Sequence, residues 1–61
     1  MSNYNTILEV RHHLGVARLE LMMSSAKLGR TVMFGNTIKE IDDTVADLTK
    51  AIDQLSKHIE A

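Results

Sequence analysis

Residues 38–59 read IKEIDDTVADLTKAIDQLSKHI, and the apolar positions Ile38, Ile41, Val45, Leu48, Ile52, Leu55 and Ile59 follow one another at alternating steps of three and four. That rhythm keeps every large aliphatic on one stripe of a 3.6-residue helix and leaves the acids and lysines between them on the other side. The stretch is therefore an amphipathic helix whose stripe needs a partner surface. Its start is predicted at Thr37, because Thr37 and Glu40 stand at capping-box spacing and Gly35-Asn36 supplies turn chemistry just before them. Glu40, Asp42, Asp43 and Asp47 crowd its first half while Lys57 and His58 lie in its last turns, the distribution that a helix dipole favours. The predicted span is about residues 37–60.

Upstream, the same rhythm returns with more interruptions. Ile7, Val10, Leu14, Ala17, Leu21, Ser24 and Leu28 make a second stripe, and Thr6 with Glu9 repeats the capping-box spacing. A helix over about residues 7–34 is predicted, with Gly29 either a left-handed cap or the place for a break, and Thr31-Val32 able to form a short extended segment instead. This first helix carries apolar residues on two sides: Leu8, Val16, Leu19, Met22, Met23 and Ala26 occupy a broad face away from the stripe. One side covers the second helix in a hairpin; the other stays exposed unless another chain covers it. The expected fold is all-α: a single domain over residues 1–61, an antiparallel two-helix hairpin that dimerises into a four-helix bundle or a higher helical oligomer.

Composition supports association. A chain of 61 residues is near the lower limit at which a core holds itself together, and the absence of Cys removes disulfides and the commonest zinc sites. No apolar run exceeds three residues, so no membrane span is expected, and the polar N-terminus gives no secretory signal; a cytoplasmic protein is expected. A net charge of -1 provides no global attraction to nucleic acid or to anionic membranes. The charge is nevertheless divided. Residues 1–35 carry four basic against two acidic side chains, or +2, and residues 36–61 carry three against six, or -3.

Arg11 and Arg18, seven residues apart, are the candidate anion contacts. The simpler reading pairs them with acids of the second helix. A hairpin folded about residues 32–33 would set Arg18 beside Asp47 and Arg11 near Asp53 and Gln54. His12 and His13 point about 100° apart on a helix and cannot chelate a metal as a local pair. The glycines of Gly29-Arg30-Thr31-Val32-Met33-Phe34-Gly35 lack the following Gly-Lys-Ser/Thr of a phosphate loop, and Phe34 is expected to plug the end of the bundle. Tyr4 and Asn3 are expected before the first helix, as a frayed arm or a docked tail.

No nucleophile, acid-base pair or metal set stands out, so no catalytic residue, metal site or cofactor is assigned and a non-enzyme is expected. The expected function is that of a self-associating hairpin acting as a protein-binding module, an adaptor or an inhibitor of a larger protein. Its candidate interaction face is Leu8, Val16, Leu19, Met22, Met23 and Ala26. The alternatives are a nucleic-acid-binding bundle using the basic residues of helix 1 and an oligomeric sponge for a small anion.

Overall fold

A computed structural model of the chain describes residues 3–31 and 33–60, without the Glu60 side chain. Two helices of equal length, α1 (Asn3–Leu28) and α2 (Gly35–Glu60), pack against each other as a hairpin, and no strand occurs among the described residues. The molecule is a rod of 48 × 14 × 13 Å, close to the roughly 39 Å of one 26-residue helix plus an offset between the two.

Helix α1 ends at Leu28, not near residue 34. The Gly29 N–H still donates to the Ser25 carbonyl at 2.9 Å, but Arg30 and Thr31 tighten to the carbonyls three residues back, Lys27 and Leu28. The Thr31 hydroxyl also donates to the Leu28 carbonyl at 2.9 Å, giving that terminal acceptor two donors and closing the helix. Gly29 has no positive φ, so it is not a left-handed cap. Val32, half of the suggested extended pair, lies outside the described residues. At the other end α1 begins at Asn3, which makes Asn3 and Tyr4 its first turn rather than an arm and puts Thr6 inside the helix. Helix α2 begins at Gly35, two residues before the expected start, and its Ile38 N–H already donates to the Phe34 carbonyl at 2.9 Å. Neither Thr-Glu capping box therefore marks a helix start.

Three side-chain hydrogen bonds define the register: Arg11 Nη1 to Ser56 Oγ at 3.3 Å, Arg18 Nη1 to Thr49 Oγ1 at 3.2 Å, and Ser25 Oγ to Asp42 Oδ1 at 2.9 Å. The two residue numbers of each rung add up to 67, and successive rungs are seven residues apart on both helices. Between the rungs this register brings Ile7 level with Ile59, Leu14 with Ile52 and Leu55, Leu21 with Val45 and Leu48, and Leu28 with Ile38 and Ile41. Polar levels meet polar levels and aliphatic levels meet aliphatic ones.

The expected pairing of Arg18 with Asp47 and of Arg11 with Asp53 and Gln54 is replaced by hydroxyl partners two to three residues further along α2. The stripe on α1 shifts as well. Arg11, Arg18 and Ser25 are half-buried beside Ile7, Leu14, Leu21 and Leu28; of the expected row Ala17 is also half-buried, whereas Val10 is 41% exposed and Ser24 is exposed, its hydroxyl turned to the Glu20 carbonyl. Positions three and four after Ile7, Leu14 and Leu21 are both compatible with the spacing; the hydroxyls and the Asp42 carboxylate of α2 draw in the fourth.

Candidate functional site

Two helices cover each other on one side only, and the consequence is plain in the burial. None of the described residues is fully buried, and every aliphatic of the α2 stripe is half-buried. The accessible surface is 4834 Å², while a compact protein of this 6.8 kDa mass has about 3,950 Å². The difference of roughly 900 Å² follows from the rod shape, in which two helices cover each other on one side only.

Apolar surface is concentrated on α1. Val16 (43%), Leu19 (57%), Met22 (51%) and Met23 (55%) are exposed together with Ala26, and Leu8 is half-buried. These are the six residues singled out from the sequence, and they line one continuous face along most of α1. Sequence reasoning missed Gly15, which sits in the middle of that face, between Leu8 and Met22 at seven-residue spacing. A Cβ added at Gly15 would meet nothing within 4 Å and its φ is negative, so nothing inside the chain calls for glycine there. The other apolar exposure is at the turn. Phe34 is 41% exposed and does not plug the end, because two helices leave that end open.

Arg11 and Arg18 lie at the border between this face and the α2 seam. The Thr49 hydroxyl donates to the Val45 carbonyl at 3.0 Å and accepts from Arg18, so both its functions are used. Neither arginine takes part in an ion pair among the described residues, where the one ion pair is the exposed Lys39–Asp43 contact at 3.2 Å. The +2 and -3 halves of the chain thus lie along each other without direct arginine-carboxylate contacts. The seven-residue spacing of Asp42, Thr49 and Ser56 opposite that of Ser25, Arg18 and Arg11 was the signal for these rungs.

The rings of His12 and His13 are tilted by 59° with centroids 5.9 Å apart, and no three His, Asp or Glu side chains converge among the described residues. A shallow groove lined by Glu20, Met23, Ser24 and Lys27 lies open along the outside of α1. No helix among the described residues is long and apolar enough to cross a membrane. No protein-family model, curated protein or solved structure matches the chain.

Proposed function

We propose that this chain is a small self-associating helical hairpin, cytoplasmic and without catalytic activity, that works as a protein-binding module, an adaptor or inhibitor of a larger protein. The observation that carries the reading is the row of exposed Val16, Leu19, Met22 and Met23 on a helix whose opposite side already faces α2. A pair of helices with no fully buried residue among those described has little to hold it together in water, and covering this face would supply apolar burial. Sedimentation across a range of concentrations, with melting followed by circular dichroism, tests it. A particle of twice the chain mass or more and a melting temperature that climbs with concentration are expected. A 6.8 kDa particle with a concentration-independent melt refutes it.

A second reading follows from the arginine rungs. Arg11 and Arg18 face neutral hydroxyls, which leaves their positive charge available to a phosphate or carboxylate at the border of the face. If nucleic acid is the ligand, oligonucleotide binding is present at low salt, falls steeply with added salt and is lost in Arg11→Ala and Arg18→Ala. Association through Leu19 and Met22 is nearly indifferent to salt by comparison.

A further inference from the structure

We propose that the apolar face of α1 is covered by the same face of a second copy of this chain, running antiparallel about a two-fold axis level with position 17. In this pairing Leu8 lies opposite the partner's Ala26, His12 opposite the partner's Met22, and Gly15 opposite the partner's Leu19. The inference rests on the reading of that face as an association surface and adds its occupant and register.

The spacing comes first. Leu8, His12, Gly15, Leu19, Met22 and Ala26 follow one another at steps of four, three, four, three and four, a second heptad seam set about 100° around α1 from the one that faces α2. An antiparallel seam pairs each position reached by a step of three with one reached by a step of four. Centring two copies on position 17 does this at every level from Leu8 to Ala26, with Val16 and Met23 along the outer edge of the seam. The sizes then fit: large Leu8 meets small Ala26, and Leu19 meets Gly15. Glycine in a helix interior costs roughly 1 kcal/mol relative to alanine, and Gly15 has open space around it within its own chain. A leucine of a second helix arriving at that point gives the glycine a packing role.

Charge agrees with size. Glu9 and Lys27 lie on the outer edge of the face, and the two-fold axis brings each near the other's counterpart, so two opposite-charge pairs flank the seam. On the inner edge Arg18 comes within two residues of the level of its own symmetry mate, but its guanidinium is drawn towards α2 by Thr49. A C2 contact uses one patch twice, as a self-complementary seam requires.

The chain has no cysteine, so paired cysteines read the register directly. Positions 8 and 26 are about 27 Å apart along α1 and cannot form a disulfide within one chain. Under mild oxidation Leu8→Cys/Ala26→Cys is expected to convert to a covalent dimer, with either single variant remaining monomeric on a non-reducing gel. His12→Cys/Met22→Cys is the second pair, should the first disturb folding as judged by circular dichroism. Single variants that cross-link as well as the doubles mean parallel pairing and overturn the proposal. A wild-type dimer in which neither folded double variant cross-links overturns this register while leaving self-association standing. A wild-type monomer at all concentrations overturns both. Charge exchange is an independent check: Glu9→Lys and Lys27→Glu are each expected to weaken the dimer roughly three- to tenfold, and the combined variant to restore it.

Discussion

Arg18 occupies a level of the helix seam where an aliphatic would ordinarily sit, with its guanidinium 3.2 Å from the Thr49 hydroxyl. A half-buried cation served by a neutral oxygen contributes little net stability, because the hydrogen bond replaces one that water would make. What the rung does supply is register, since sliding α2 by a few residues would set the arginines against Ile52 or Val45. Arg18→Leu is accordingly expected to raise stability by about 1 kcal/mol or more, read from urea denaturation at fixed protein concentration. Thr49→Val, which keeps the shape and removes the acceptor, is expected to lower it by about 0.5 to 1 kcal/mol. A large loss in Arg18→Leu would mean that the guanidinium is a stabilising centre rather than a register pin. Gly15→Ala poses a related question. Its effect on an isolated helix is favourable by roughly 1 kcal/mol, so helical content of the separated chain should rise. Dimerisation should weaken at the same time if the partner's Leu19 closes on that spot.

At the scale of the elements, the end of α1 carries the more telling prediction. Gly29 has a negative φ, and a Cβ there would lie 3.4 Å from the Ser25 and Ala26 carbonyl oxygens, at the near edge of ordinary contact. Alanine can therefore take its place, and Gly29→Ala is expected to stabilise the protein by about 0.4 to 1 kcal/mol through the entropy of the unfolded chain. A left-handed cap would give the opposite sign. Along α2, Leu48 and Ile52 are half-buried, so truncation to alanine should cost on the order of 2 kcal/mol, the lower part of the range for large aliphatics in a core. Lys50 and Gln54, both exposed, should tolerate alanine within about 0.5 kcal/mol. Thermal or urea melts on the four variants would reveal any departure, and equal sensitivity would mean that α2 is covered on all sides.

For the whole molecule, the proposed dimerisation would make stability and association one quantity. A 48 Å rod of two helices, with no fully buried residue among those described, exposes apolar surface that a second chain would remove from water. Met22→Glu puts a carboxylate into the proposed seam opposite the partner's His12, and its partial desolvation is expected to weaken the dimer by about 1 to 3 kcal/mol and to melt the helices along with it. Met23→Glu, on the edge of the same face, lets the charge reach water and should weaken association less. Sedimentation and circular dichroism on both variants make the check. A Met22→Glu protein that stays helical and dimeric would mean that the face serves a different contact.

The amphipathic repeat of residues 38–59, the two-helix hairpin and the surplus apolar face of α1 were legible from the order of residues, because helical periodicity is local: it depends on which side chains stand three and four positions apart. The helix ends were less so. Capping-box spacing at Thr6 and Thr37 is compatible with a start but equally with a helix that runs past it, and the close of α1 at Leu28 depends on where the Thr31 hydroxyl and backbone N–H come to rest. Which of two flanking rows faces α2 lay beyond the sequence altogether. Val10, Ala17 and Ser24 are the more apolar row, yet only Ala17 of them is half-buried while Arg11, Arg18 and Ser25 all line the seam, because Ser56, Thr49 and Asp42 meet them at matching levels. Local pattern determined the elements and their greasy sides; register is a property of two surfaces together, and it was decided only when α2 offered its hydroxyls and carboxylate opposite those rungs.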